Sequence, residues 1–345
     1  MRLTRLVVVV LASVVLSAAQ DQKFALRVDV AVVSIDVEVT DANGRAVTSL
    51  TKEDFQLDED GQPREILHFA SADAPYAILS MFDCTGSLSD QWAFLQDAML
   101  GFVQTLRPHD TIGIAAFGTQ LIPLRDWVLR NDLRLDFQMP LPAQNSICDD
   151  TDFYESMISA AAKMRQLPTN RKGVIVFTDG VHEHIARRNV RMGGVVLPRF
   201  IDAADDKDFH SVLTAVRTSG ARFYFVAMNT DLNPGTVNEI LHPVAAYSPL
   251  PIYNMQQVRS RMELLAEGSG GRIVFPRTPD DYKPLYAQIA QELGSSYSLG
   301  FTPSAADDGG YHRVEVHVTN PALHTRQSRT GYGVSAMEKS PTPGR

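Results

Sequence analysis

The sequence is poor in cysteine, in long apolar runs and in clustered basic residues. Of its 345 residues only Cys84 and Cys148 are cysteines, and 32 Lys and Arg face 40 Asp and Glu, for a net charge of −8. An acidic chain without a basic run offers little to nucleic acid or to anionic lipid, so neither is expected as a partner. Two cysteines are the smallest number that can form a disulfide, and their spacing does not show whether they meet.

The longest apolar stretch lies at the N-terminus. Arg2 and Arg5 precede an apolar run from Leu6 to Leu16, and small residues follow up to Ala19. This is the layout of a secretory signal peptide, which we expect to span residues 1–19. The run is shorter than the roughly 20 residues of a membrane span. The chain is therefore expected to be exported, as a periplasmic or secreted protein or one held at the membrane by an uncleaved signal.

Three further regions differ in their apolar patterns. Residues 24–72 and 295–334 alternate apolar and polar positions between Gly, Asn and Pro turns, which is typical of antiparallel strands. In residues 74–294 short apolar runs alternate with helical patterns, which predicts a doubly wound, mostly parallel α/β sheet with helices on both faces. We expect the two β segments to form one small β-sandwich that carries the α/β domain as an insertion, with two unrelated β appendages as the alternative. The polar residues 335–345 are expected to be disordered.

Polar residues stand where two predicted strands end. Asp83 follows the apolar run YAILSMF, and Asp179 follows GVIVFT. Thr151 opens a segment with helical spacing, DFYESMISAAAKM. In an open parallel sheet, ligands bind at the edge formed by the carboxyl ends of the strands. We therefore expect Asp83, Thr151 and Asp179 to lie at this one edge.

The first of these loops is rich in side-chain oxygens. Asp83, Thr85 and Ser87 alternate in position, so a tight loop can point all three at one centre. Thr151 would add a hydroxyl, and Asp179 a carboxylate, directly or through water. Mg²⁺ prefers six oxygen ligands and keeps several waters, so Mg²⁺ is the expected ion, with Mn²⁺ and Ca²⁺ as alternatives. A shell with few charged ligands leaves the ion able to accept a carboxylate from a partner.

The whole pattern resembles the metal-ion-dependent adhesion site, or MIDAS, of von Willebrand factor type A domains. It reads Asp83-x-Thr85-x-Ser87, then Thr151, then Asp179-Gly180. The flanking segments VTSLTKEDFQLDEDGQPREILHF and SSYSLGFTPSAADDGGYHRVEVHV are similar to those of the bacterial, acidobacterial-type exported proteins related to this family. The resemblance covers nearly all of the chain after the signal. It implies a doubly wound domain that binds a protein partner through a metal ion and an Asp or Glu of that partner.

Two positions depart from the family pattern. Thr85 stands where the family usually has serine, and Cys84 where it commonly has a small polar residue. Threonine keeps the hydroxyl, so no ligand is lost, and a degenerate domain without metal is the alternative. If the loops that hold Asp83 and Thr151 converge on one ion, the two cysteines are neighbours. We therefore predict a disulfide between Cys84 and Cys148, with a pair of reduced, packed thiols as the alternative.

Histidines and acids near these loops suggest other chemistry. His182 and His184 flank a glutamate but lack the spacing of the zinc motif HExxH, so we expect a solvated rim that also includes Asp149 and Asp150. No nucleophile elbow and no glycine-rich phosphate loop follow any predicted strand.

Three hypotheses for function follow from these signals. The favoured one is an exported, non-enzymatic binding module. The second is a scaffold without metal that acts through its surface alone. The third is a metallohydrolase that would use the side chains Asp83, Asp179, His182 and His184.

Overall fold

A computed structural model of the chain describes residues 32–86, 88, 92–134, 146–182, 187–192, 195–228, 251–304 and 311–333. Several predicted features lie outside the described residues. They are the signal peptide at residues 1–19, the beginning of the first β segment, Ser87, His184 and the tail at residues 335–345.

Sixteen strands and five α-helices lie within these ranges. The strands are β1 (Val33–Thr40), β2 (Phe55–Glu59), β3 (Gln62–Arg64), β4 (His68–Ala70), β5 (Ala77–Asp83), β6 (Thr111–Phe117), β7 (Leu121–Leu129), β8 (Lys172–Thr178), β9 (Arg187–Met192), β10 (Val195–Phe200), β11 (Arg222–Ala227), β12 (Ile273–Val274), β13 (Ser296–Phe301), β14 (Tyr311–Val318), β15 (His324–Gln327) and β16 (Gly331–Gly333). The helices are α1 (Trp92–Thr105), α2 (Phe153–Gln166), α3 (Lys207–Thr218), α4 (Pro251–Ser269) and α5 (Tyr282–Ser295).

The central sheet has six strands in the order β12-β11-β8-β5-β6-β7. Every residue of β5, β8 and β11 is buried, as expected of strands covered by helices on both faces. The strands from β12 to β6 pair in parallel, and β7 pairs antiparallel with β6 at the edge. The edge strand β7 was not predicted, and it contains Pro123, which an edge strand tolerates.

Helices cover both faces of this sheet. One apolar core includes Met157 of α2, Leu213 of α3 and Met262 of α4. The other includes Phe102 of α1 and Ile289 of α5. The prediction of a doubly wound α/β fold is therefore confirmed.

Two small antiparallel sheets pack together beside the central sheet. Their strand orders are β15-β1-β13-β4 and β16-β14-β2-β3, so each combines strands from both ends of the chain. Their facing side chains form one core that includes Ile35, Leu57, Tyr297 and Val316. Ile35 of β1 lies opposite Leu299 of β13 in the antiparallel register. The two β segments thus build one sandwich.

The sandwich is joined closely to the α/β part. Helix α5 ends at Ser295 and strand β13 begins at Ser296, with no loop between them. Arg222, at the start of β11, forms a buried ion pair with Asp36 of β1 and donates to Ser296 Oγ at 2.8 Å. A separate antiparallel hairpin of β9 and β10 was not predicted.

Candidate metal centre

Asp83 is the last residue of β5, and its carboxylate is fully buried. Its Oδ1 accepts from the Thr85 hydroxyl at 2.7 Å and from the Thr85 amide at 3.1 Å. Its Oδ2 accepts from the Thr178 hydroxyl at 2.7 Å. These donors are all neutral, so they orient the carboxylate without cancelling its charge.

Asp179 reaches the same edge because β8 pairs in parallel with β5. Phe82 lies opposite Phe177 in this register, so the next residue of each strand, Asp83 and Thr178, stand side by side. Asp179 follows at once and is buried, and its Oδ1 accepts from the Val181 amide at 2.9 Å. The sheet therefore brings two carboxylates from distant parts of the chain to one edge.

The loop that carries Thr151 is held against the end of β6. The Asp152 amide donates to the Gly118 carbonyl at 2.9 Å, and the Thr119 amide donates to the Ile147 carbonyl at 2.8 Å. A Cβ on Gly118 would lie 2.0 Å from the Ile147 oxygen, so this approach requires glycine. Thr151 itself is buried and precedes the N-cap of α2.

A disulfide joins the first loop to the Thr151 loop. Cys84 and Cys148 are bonded, with their Cα atoms 5.1 Å apart, and both side chains are fully buried. The Cys84 amide also donates to the Phe117 carbonyl at 2.8 Å. The loops after β5 and β6 and the loop before α2 are thus tied together by one covalent bond and several backbone hydrogen bonds.

The charges at this edge favour a bound cation. The pKa of Asp83 is raised to about 7. Burial is the largest cause and the nearby carboxylate of Asp179 the second, whereas hydrogen bonds from Thr178 and Thr85 lower this pKa. Two carboxylates buried near each other repel when both are ionised, and a cation between or beside them would relieve that repulsion.

The donor set fits a hard ion. The predicted ligands among the described residues are two carboxylates and the hydroxyls of Thr85 and Thr151, and divalent ions such as Mg²⁺ prefer oxygen donors of these kinds. Within the described ranges no group of three or more His, Cys, Asp and Glu side chains is placed to hold a metal. The predicted site is not of that kind, because its other donors are hydroxyls.

The residues predicted to form a rim differ in their surroundings. Asp149 is exposed, whereas Asp150 is half-buried and its Oδ1 accepts from the Thr151 amide at 2.6 Å. The expectation of a solvated His182 is wrong, because this side chain is buried and stacks on Tyr154 with 4.0 Å between the ring centroids. Its Nδ1 lies 3.7 Å from Asp152 Oδ1.

Tyr154 belongs to a buried polar network behind this edge. Its hydroxyl donates to Asp206 Oδ2 at 2.9 Å and accepts from Arg261 Nε at 2.8 Å. Arg261 also forms a buried ion pair with Asp206 at 3.1 Å. The network ties the N-terminal turns of α2 and α3 to α4, next to the loop that carries His182.

Sequence reasoning missed Thr178 and Gly118. Thr178 directly precedes Asp179 at the end of a fully buried strand, so the parallel pairing of β5 with β8 could have placed it beside Asp83. Gly118 directly follows β6, and a glycine at that edge signals a close backbone approach.

No protein-family model matches the chain, and no curated protein matches it. Several solved structures are similar to it. The chain is similar to the conserved hypothetical protein BatB from Bacteroides thetaiotaomicron over 64% of this chain and 98% of that one, with 13% identity and a TM-score of 0.40. It is similar to a von Willebrand factor type A protein from Catenulispora acidiphila over 92% and 78%, with 9% identity and a TM-score of 0.40.

A third similar structure is proximal thread matrix protein 1 from the mussel byssus, which was solved with zinc in its MIDAS motif. The match covers 67% of this chain but only 48% of that protein, with 12% identity and a TM-score of 0.42. The structural neighbours are von Willebrand factor type A domain proteins. At these identities the likeness concerns the fold alone.

Proposed function

We propose that this chain is an exported, non-enzymatic binding module that holds a divalent cation and uses it to bind a carboxylate of a protein partner. The observation that carries the proposal is the pair Asp83 and Asp179. Both are buried at the carboxyl edge of the sheet, where the charge of Asp179 helps to raise the pKa of Asp83. Such a pair is expected to need a cation when both members are ionised.

Four of the proposed ligands lie among the residues that the structure describes, and the fifth, Ser87, is proposed from the sequence pattern alone. Asp83, Thr85, Thr151 and Asp179 would hold the ion, directly or through water, and Ser87 would add a third hydroxyl. The bound ion would act as a Lewis acid toward the partner's Asp or Glu. Mg²⁺ is the proposed ion, because the donors are all oxygens and few of them are charged.

One feature of the chain bears on export. The Cys84–Cys148 disulfide fits an oxidising compartment. In the part of the chain that the structure describes, no helix combines the length and the apolar character of a membrane span. We propose that the protein is periplasmic or secreted, with residues 1–19 as its signal.

Binding is favoured over hydrolysis by the position of His182. A metallohydrolase would need a general base beside the ion with access to substrate. His182 is 7% exposed, lies flat on Tyr154 and has its Nδ1 directed toward Asp152. This surrounding suits a packed side chain better than a base that reaches a substrate.

Calorimetric titration of the full chain with Mg²⁺ tests the cation site. We expect binding to the wild type, and loss of that binding in Asp83→Asn, which keeps the size of the side chain. Asp132→Asn is the matched control, since Asp132 is an exposed acid outside this edge. Equal Mg²⁺ binding by the wild type and Asp83→Asn would place the metal elsewhere.

Partner binding is tested by capture from the native cell envelope. The partner should be retained with Mg²⁺, released by EDTA and not captured by Asp83→Asn. A partner that stays bound in EDTA and binds Asp83→Asn equally well would favour the metal-free scaffold.

A further inference from the structure

Each of the two buried carboxylates has one oxygen engaged by a neighbouring donor that is not a proposed ligand. Asp83 Oδ2 accepts from the Thr178 hydroxyl at 2.7 Å. Asp179 Oδ1 accepts from the Val181 amide at 2.9 Å. Bidentate binding of an ion requires both oxygens of a carboxylate to face it. The bond from Thr178 therefore disfavours bidentate binding of an ion by Asp83.

Thr178 is itself held in place. Its side chain is fully buried, and its hydroxyl oxygen accepts from the Gly180 amide at 2.9 Å. The preceding residues, Phe82 and Phe177, stack with 4.6 Å between ring centroids and 4° between planes, which fixes the two strand ends against each other. With its acceptor side occupied, the hydroxyl directs its proton to Asp83.

We propose that Thr178 is a specificity-determining residue that engages Asp83 Oδ2, disfavours bidentate binding by Asp83 and thereby makes the site select Mg²⁺ over Ca²⁺. The inference rests on the proposed function, because it concerns the same cation site. Thr178 is not one of the proposed ligands, so its bond to Asp83 can persist with an ion present. Thr85 differs, because it is a proposed ligand and would rearrange with the ion.

The chemistry of the two ions gives the direction of the selectivity. Ca²⁺ takes six to eight oxygens and often uses a bidentate carboxylate, whereas Mg²⁺ demands near-octahedral geometry with single oxygens and keeps several waters. A site in which Asp83 offers one oxygen suits Mg²⁺. The same site leaves Ca²⁺ with too few oxygen ligands, unless the Asp83 carboxylate can turn both of its oxygens toward the ion.

The test compares the dissociation constants for Mg²⁺ and Ca²⁺, measured by calorimetry and competition on the full chain. The wild type should bind Mg²⁺ more tightly than Ca²⁺. Thr178→Val keeps the shape but removes the hydroxyl, so Mg²⁺ affinity should fall by about tenfold, the lower end of the range for losing a residue that hydrogen-bonds to a metal ligand. Ca²⁺ affinity should hold or rise, which shifts the ratio of the two constants by about the same factor. Thr178→Ser should restore the wild-type ratio.

Ser219→Ala is the matched control. The Ser219 hydroxyl is also buried, donates to the Val216 carbonyl at 2.7 Å and accepts from the Ala221 amide at 3.1 Å, but it precedes β11 at the opposite edge. Its loss should leave both affinities unchanged.

The outcomes separate this inference from the proposed function. A wild type that binds no divalent ion overturns both. A wild type that binds Ca²⁺ as tightly as Mg²⁺ overturns the inference alone, even if Thr178→Val does not fold. A folded Thr178→Val variant whose ratio of Mg²⁺ to Ca²⁺ dissociation constants equals that of the wild type also overturns the inference alone.

Discussion

Cys84 and Cys148 form a disulfide that joins the residue directly after Asp83 to a residue three positions before Thr151. The bond therefore connects two of the loops proposed to surround the ion, and it closes a long loop that contains α1, β6 and β7.

Removal of this disulfide should weaken both the fold and metal binding. In the chain-entropy account, a closed loop of this length contributes about 4 kcal/mol to the free energy of unfolding. We expect a loss of that order in the variant with Cys84→Ser and Cys148→Ser, measured by urea unfolding, together with weaker Mg²⁺ binding. A reductant should destabilise the wild type and leave the double variant unchanged. Two free thiols found by mass spectrometry in protein prepared without reductant would contradict the prediction.

Gly118→Ala should disturb the Thr151 loop. The added Cβ would lie 2.0 Å from the Ile147 carbonyl oxygen and 2.9 Å from that of Asp150, and both are backbone atoms. Overpacking of this kind typically costs about 1–3 kcal/mol, and Mg²⁺ affinity should fall with it.

Gly101→Ala is the control for that substitution. Gly101 lies inside α1 with open space around the added Cβ, so alanine should stabilise the helix by roughly 0.5–1 kcal/mol. The thermal unfolding temperatures of the two variants should move in opposite directions, and calorimetry should show weaker Mg²⁺ binding in Gly118→Ala alone. Unchanged stability and Mg²⁺ affinity in Gly118→Ala would argue against a close approach at this loop.

Asp179→Asn should raise the stability of the metal-free protein and weaken metal binding. Because Asp179 helps to raise the pKa of Asp83, its charge opposes ionisation of Asp83 in the metal-free protein. In EDTA at pH 8, where most of Asp83 is ionised, the variant should be more stable than the wild type, because the second buried charge is gone. Saturating Mg²⁺ should stabilise the wild type and not the variant. A variant that is less stable in EDTA would show that Asp179 serves the fold rather than the ion.

Asp206 should make stability depend on pH. Burial opposes ionisation of Asp206, but bonds from the Phe209 amide, the Tyr154 hydroxyl and Arg261 together hold its pKa below the ordinary range. A lowered pKa contributes stability above the pKa of the unfolded chain, near 4, and this stability is lost as pH falls through the lower folded value. The wild type should therefore lose stability on acidification.

The variant Asp206→Asn tests that assignment. It leaves Arg261 buried without its carboxylate, so at pH 7 it should lose about 3–5 kcal/mol, and its stability should vary less with pH below 4. Asp208→Asn, an exposed residue of the same helix, is the control in urea unfolding across pH. An unchanged acid dependence in Asp206→Asn would assign the effect to other carboxylates.

The sequence predicted the features that depend on local pattern and on the topology of parallel sheets. Asp83 and Asp179 end buried strands, and that alone places them at one edge. The sandwich was expected from alternation at both ends of the chain. Each inference uses a rule that applies whatever the neighbouring side chains are.

Other features depend on contacts that no local pattern encodes. β7 pairs antiparallel with β6 at the sheet edge although it contains Pro123. Arg222 and Asp36 meet across the joint although they lie 186 positions apart. The bond from Thr178 to Asp83 needs the register of β8 on β5, which the sequence alone does not fix.

The order of strands in the sandwich has a consequence for how the chain folds. β1 pairs with β13 and β15. Val33 can therefore pair only after Phe301 has been synthesised, and Val37 can pair with β15 only after Gln327 has been synthesised. Synthesis proceeds from the N-terminus, and contacts of such high sequence separation form slowly. The central sheet can assemble from residues 77–274 while β1 still exposes unpaired edges. β1, the first strand that the structure describes, is therefore among the last to pair, and its unpaired edges are open to aggregation in the emerging chain.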